Sequence, residues 1–279
     1  MTAWMNLLVK ELKLGRKFFF GGLIVMALIA LIAIGFAAYY PYGISSMLFF
    51  AGCAMLVFYV FVYLIVSFSN ERNSFSTWMQ MPLPGWSLIA AKVVAGFISM
   101  LVTIVAAFIL LSLVMGFDGS PDFSGILNNE AFELTESDKE DIRMGEEIIR
   151  FLNEHYFDLL LKLTPMLLGG AALLGGAYLI FYFTHKTVQR WVGRWSILVA
   201  IMIVILVLRI YDLIVQSPMI QWFDWGKLPI SDTFIEVGGN RVDIFLESMS
   251  LGHLLLDVTL VGLVVLTCGW LLDKKVEVQ

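Results

Sequence analysis

Charge is what this chain has least of. Asp, Glu, Lys and Arg make up 15% of its 279 residues, against a hydrophobic share of 59% and a mean hydropathy of +0.86. Soluble domains carry about 25% charged residues and interrupt apolar stretches at the period of a helix or strand, so a water-soluble globule is excluded. Cysteine is almost absent. Cys53 and Cys268 stand apart inside separate apolar runs, which argues against a disulfide framework or a thiolate metal site. The three histidines, His155, His185 and His253, are scattered, and no H-E-x-x-H occurs, so a metalloprotease would lack its ligands. No G-x-x-x-x-G-K-[ST] is present to cradle ATP phosphates. A net charge of -5 without clustered Lys and Arg leaves no footprint for nucleic acid. No catalytic set, cofactor site or metal site is expected, and no nucleophile and base share a depth that would suit an intramembrane enzyme.

What is present is length without charge. Six runs are long enough to cross ~30 Å of hydrocarbon as helices rising ~1.5 Å per residue. They cover residues 18–40, 44–68, 93–115, 156–183, 196–217 and 251–272. None alternates at period two, as a membrane β-barrel would require. The expected class is an all-α polytopic membrane protein, with residues 1–279 as a single transmembrane domain.

Six spans put both termini on one side, and basic residues decide which. The terminal side carries eleven Lys and Arg against four acids, whereas the other carries five against sixteen, eleven of them between Asp118 and Glu154. Both termini are therefore expected in the cytoplasm of a cell that places this chain in its plasma membrane. Tyr39, Tyr40, Tyr42, Trp222 and Trp225 mark the outer boundary, and Trp191, Trp195 and Trp270 the inner one.

Four stretches are not spans. Residues 2–17 place Trp4, Met5, Leu8 and Leu12 opposite Lys10, Lys13 and Lys17, the pattern of a helix lying in the membrane interface; a plain basic flank is the alternative. Residues 71–92 hold an apolar set, Phe75, Trp78, Met79 and Met81, stopped by Pro82-Leu83-Pro84, with a further helix from near Trp86 running into the third span. A short apolar helix there needs a protein partner or lipid to cover it. The acidic loop 117–155 contains Ser137-x-x-Glu140, a capping box that opens a helix expected to continue into the fourth span as one rod. The outer loop 218–250 alternates around Gly238-Gly239-Asn240, the pattern of a small hairpin. Inside the fourth span, Ala171, Ala172, Gly175 and Gly176 have the spacing of close helix packing, and Pro165 predicts a kink.

Charges at membrane depth are costly and commonly face protein or water. Asp158 with Lys162, Arg209 with Asp212, and His253 with Asp257 each have i,i+3 or i,i+4 spacing in the outer third of a span. They read either as a polar outer vestibule or as self-neutralised pairs that snorkel outward. The inner parts of the spans are nearly free of charge, which suits an apolar or amphipathic cargo better than a small ion.

The order of these parts resembles the permease subunits of type-2 ATP-binding-cassette (ABC) exporters. Glu71, Ser74, Trp78, Met81-Pro82 and Lys92 follow the order and spacing of that family's coupling region, with Asn73 where Gly is commonest and Gly85 where a basic residue is usual. Leu271-Leu272-Asp273-Lys274-Lys275-Val276-Glu277-Val278 is similar to the ending of a bacterial subgroup. The resemblance implies a type-2 permease fold of six transmembrane helices with an interfacial N-terminal helix. It implies a cytoplasmic coupling helix at Glu71 to Met81, contacting an ATPase through Glu71, Ser74, Phe75, Trp78, Met79, Met81 and Pro82. It also implies two ATPase subunits, a second permease identical or paralogous, and a lipid surround. A different expectation from the same residues is an accessory or immunity-type membrane protein that binds a cationic partner through its acidic outer loop without transport.

Overall fold

A computed structural model describes residues 3–39, 44–70, 83–117, 135–217, 223, 225, 234–237, 240–243 and 250–275. Its elements are α1 (Ala3–Tyr39), α2 (Ile44–Ala54), α3 (Tyr59–Asn70), α4 (Gly85–Phe117), α5 (Glu136–Val192), α6 (Ser196–Val215), β1 (Phe234–Val237), β2 (Asn240–Asp243) and α7 (Leu251–Lys275). Six helical stretches are long and apolar enough to cross a membrane: Trp4–Ala37, Ser45–Asn70, Gly85–Phe117, Leu163–Gln189, Gly193–Val215 and Leu251–Asp273. Each overlaps one of the six apolar runs of the sequence.

Local chemistry moves several boundaries. The interfacial helix expected at 2–17 is not a separate element: α1 runs unbroken through it into the first span. No proline interrupts it, and Leu7, Leu8 and Glu11 are buried in the bundle rather than laid on a surface. The second span is two helices joined by a 3-10 turn, Met55–Phe58, where Val57 packs into the space left by Gly170 of α5. The acidic rod is present as the single helix α5, 57 residues long, with Pro165 inside it. Its first turn opens one residue before the expected cap Ser137, and the amide of Lys139 donates to the carbonyl of Thr135 at 3.1 Å. The hairpin is also present. β1 and β2 are antiparallel with Phe234 opposite Asp243 and Val237 opposite Asn240, so Asn240 belongs to a strand and Gly238-Gly239 joins the two.

The bundle is organised around α4. Its buried residues, including Ile89, Lys92, Gly96, Met100, Thr103, Ala107, Leu111 and Val114, recur every three or four positions on several faces. It packs against α1, α2, α3, α5 and α7. Opposite charges gather at the two ends of the bundle. Exposed Lys10, Lys13, Arg16, Lys17, Lys186 and Arg194 mark a basic end, where the first turns of α1, α4 and α6 meet the last turns of α3, α5 and α7. At the acidic end, α6 finishes beside the start of α7.

Small residues set the close approaches. In α5, Ala171 and Ala172 are buried, Gly175 faces Val60, and Gly176 faces Val261, which is the tight packing their spacing implies. Between α5 and α6, Gly193 takes φ 58° and ends α5 with the left-handed residue that glycine adopts without cost. In α7, Gly269 lies against the backbone of Trp86 at the start of α4, and a Cβ there would occupy the space of that backbone. Gly262 has nothing around its missing Cβ within 4 Å.

These two glycines give a matched test. Gly269→Ala is expected to push α4 from α7 and destabilise the bundle by about 1–3 kcal/mol, the usual cost of overpacking. Gly262→Ala, on the same helix, is expected to be neutral or stabilising by up to about 1 kcal/mol through helix propensity. Thermal unfolding of the purified protein in one detergent compares them, and equal melting points would overturn the packing assignment.

Candidate functional site

Between the helices that flank segment 71–82 in sequence and α1, the structure holds a buried pair of opposite charges. Lys92 of α4 donates through Nζ to Glu11 Oε2 of α1 at 2.7 Å, and the two side chains are 0% and 1% exposed. The same ammonium donates to Ser67 Oγ of α3 at 2.7 Å and lies 5.7 Å from the ring centre of Phe68. Three helices thus meet on one cation. Each contact uses what an ammonium offers: three donors and a charge attracted to an aromatic face.

The surrounding chain is shaped to admit this pair. Tyr63 stands one turn before Ser67, and its ring fits between Gly15 of α1 and Gly96 of α4. Its hydroxyl donates to the Glu11 carbonyl at 3.4 Å, the long limit for such a bond. Phe18 packs edge-on to Tyr59 at 5.1 Å and to Tyr63 at 5.8 Å, closing the pocket from the α1 side. Phe68 stacks on Tyr182 of α5 at 4.7 Å. Taking two ions out of water costs several kcal/mol each, and close contact plus hydrogen bonds offset that cost only while both partners are in place.

A second tie lies at the other flank of the same segment. Pro84 accepts from the amide and the hydroxyl of Ser87, at 2.9 and 2.8 Å, forming the first turn of α4. The amide of Gly85 donates to Asp273 Oδ1 of α7 at 2.8 Å, so a carboxylate from a distant helix caps α4. A negative charge is favoured there by the unpaired amides and the dipole of the helix start. The last turn of α3 and the first turns of α4 are therefore both fixed to the bundle. The contact residues expected between them, Glu71, Ser74, Phe75, Trp78, Met79, Met81 and Pro82, lie outside the described residues.

The six polar residues expected in an outer vestibule separate into three cases. For Asp158 and Lys162, only the helical backbone of α5 is described. Arg209 and Asp212 form the expected i,i+3 ion pair at 4.0 Å, but on a bare face of α6 where their side chains are 78% and 51% exposed. His253 and Asp257 interact electrostatically across one turn of α7, and each also hydrogen-bonds elsewhere. Asp257 is buried and accepts from the Tyr211 hydroxyl of α6 at 2.8 Å, while His253 Nδ1 lies 2.8 Å from Ser250 Oγ. Ser250 is occupied in capping α7: its Oγ accepts from the His253 amide at 3.2 Å and donates to the Phe223 carbonyl at 2.8 Å.

Sequence reading passed over Glu11, Ser67, Tyr63, Tyr211 and Asp273. A signal for Glu11 did exist. It falls on the same helical face as Trp4, Leu7 and Leu8, so a charge stands inside an apolar stripe. Among the described residues, no group of three or more His, Cys, Asp and Glu is placed to hold a metal ion.

Removing one member of the buried pair should cost far more than removing both. Lys92→Met is expected to destabilise by about 3–5 kcal/mol because Glu11 keeps its charge in the interior, and Glu11→Leu combined with Lys92→Met should recover most of that loss. Melting curves of the single and double variants in detergent check the coupling, and additive losses would count against a direct pair. No family model, curated protein or solved structure matches this chain.

Proposed function

We propose that this chain is the permease subunit of an ATP-driven exporter of the type-2 ABC class, forming half of a pathway for a hydrophobic or amphipathic substrate. The observation that carries the proposal is the anchoring of both flanks of segment 71–82. Ser67 and Phe68 are held by Lys92, and Gly85 is held by Asp273, so a force applied to that segment would reach α1, α3, α4 and α7 together. A coupling helix needs such a base, since a push on a loosely tethered loop is lost in the loop. Phe75, Trp78, Met79 and Met81 are the apolar side chains that such a contact would use, together with Glu71, Ser74 and Pro82. ATP would be hydrolysed by that separate subunit, in two copies per transporter, and the basic end with both termini would face the cytoplasm.

Support for a second permease comes from α6. Only Ser196 and Ala200 of this helix are buried, and its bare face combines Met202, Leu206 and Leu213 with the Arg209–Asp212 pair. Charges at membrane depth favour a protein or water surround over lipid, so this face suits the other half of the transporter. A competing function draws on the start of α5, where acids from Glu136 to Glu154 precede the span Leu163–Gln189. Such a rod fits an accessory protein that captures a cationic partner without transport.

Affinity purification of the detergent-solubilised protein, followed by mass spectrometry, separates the two. An ATPase is expected with the wild type and absent with the Trp78→Asp, Met81→Asp variant. Failure of either folded protein to retain an ATPase would sink the permease reading and favour the accessory one.

A further inference from the structure

We propose that the exposed face of α1 binds an acidic glycerophospholipid in the leaflet at the basic end, its phosphodiester on Lys10, Lys13 and Lys17 and an acyl chain along the helix. The three lysines follow one another at i,i+3 and i,i+4 spacing, so their side chains share a face. All three are exposed, and among the described residues none of them forms an ion pair. The acid that stands among them in sequence is committed elsewhere. Glu11 is the one Asp or Glu in the first seventy residues, and it is turned into the bundle onto Lys92. Burial of that carboxylate leaves the outer face of α1 with cations alone. Arg16, one face over, adds a fourth, lying 5.4 Å from the ring centre of Phe20.

Lys10 and Lys13 line a hollow of about 530 Å³ together with Asn6, Val9 and Leu14. That volume is within the ~300–1,000 Å³ of small-molecule sites. The two ammonium groups and the Asn6 amide offer donors to a phosphate there, and Val9 and Leu14 begin an apolar wall. The same face then continues into the membrane span. From Lys17, steps of three or four residues lead to Gly21, Ile24 and Leu28, all exposed, and Gly21 has nothing within 4 Å of its missing Cβ. The rise from Phe18 to Leu28 is about 15 Å, half of the ~30 Å hydrocarbon thickness and so the depth of one leaflet. The charges end where the apolar lane begins, a layout that matches a lipid better than a soluble anion. Headgroup sign is selected by the missing acids. The ammonium of phosphatidylcholine or phosphatidylethanolamine would meet only lysines on this face, whereas phosphatidylglycerol brings a net negative charge. Binding at this face is independent of the permease reading.

The test uses the full chain in a nonionic detergent and native mass spectrometry, with palmitoyl-oleoyl phosphatidylglycerol and the matching phosphatidylcholine as probes. The anionic lipid is expected to bind at a concentration at least about tenfold below that of the zwitterionic one, since each lysine at a lipid surface adds to the attraction for anionic headgroups. Moving charge off the face separates the site from the total charge of that end. Lys10→Gln and Lys13→Gln, combined with Gln189→Lys and Val192→Lys at exposed positions of α5, keep the basic count of the end and with it the orientation in the membrane. In this variant the preference should fall to within about threefold. Lys186→Gln with Arg194→Gln removes two exposed cations from the same end and should leave the preference unchanged. Should the relocated variant misfold, Lys13→Gln alone is expected to lower phosphatidylglycerol affinity about threefold with phosphatidylcholine binding unaltered. Glycerol 3-phosphate at millimolar concentration should not displace the lipid. Equal binding of the two lipids, a preference that survives relocation of the charges, a preference that falls as far with Lys186 and Arg194, or displacement by glycerol 3-phosphate would each overturn the proposal.

Discussion

The contact between Lys92 and Glu11 is the constraint from which the rest of the basic end follows. Where lipid is the solvent, apolar side chains gain little from touching one another instead of acyl chains, so apolar faces alone do not choose one arrangement of helices. A cation with directed donors does choose. Moving α1, α3 or α4 by one residue would separate Nζ from Glu11 or from Ser67, and the surrounding hydrocarbon offers no substitute. The glycines at 15 and 96 are consistent with this, because they clear room for Tyr63, whose neighbouring turn carries Ser67 to the ammonium. Register at this end is specified by polarity and refined by small residues.

The far end is built on different terms. α6 is held to the bundle through the turn at Gly193, the contact between Ser196 and His185 at 2.9 Å, and its packing on α5. Among the described residues, the hydrogen bond between Tyr211 and Asp257 ties it to α7 towards the acidic end. The basic end thus carries more polar ties between helices than the far end, among the described residues. That asymmetry suits a device in which work enters at the more firmly tied end and is expressed as opening elsewhere.

Much of this architecture is legible in the sequence, for a physical reason. Runs of about twenty uncharged residues have few fates other than a membrane-length helix, and the alternation of Phe234 to Val237 and Arg241 to Asp243 around glycines has few fates other than a hairpin. The small residues of α5 likewise announce close packing by spacing alone. What stays hidden is pairing across distance. Glu11 and Lys92 are 81 residues apart and Tyr211 and Asp257 are 46 apart, and although Glu11 stands out inside an apolar stripe, local periodicity names no partner for it or for Tyr211. The spacing of His253 and Asp257 makes their electrostatic interaction legible, but not the hydrogen bonds that hold the histidine at Ser250 and the aspartate at a tyrosine of the neighbouring helix. The continuity of α1 was obscured by its surface lysines, which look the same on an interfacial helix as on the exposed side of a buried one.

Asp273, which caps α4, lies 188 residues beyond Gly85 in the chain. At the ~5–20 residues per second of protein synthesis, the start of α4 waits about 10–40 s for its acceptor. Glu11 precedes Lys92 and can meet it as soon as α4 emerges, so the two ties beside segment 71–82 form in a fixed order. The first gathers the early helices, and the second closes only when the last helix has been inserted. The base of that segment thus registers whether the bundle is complete, and a partner that requires the finished base would leave half-made chains alone.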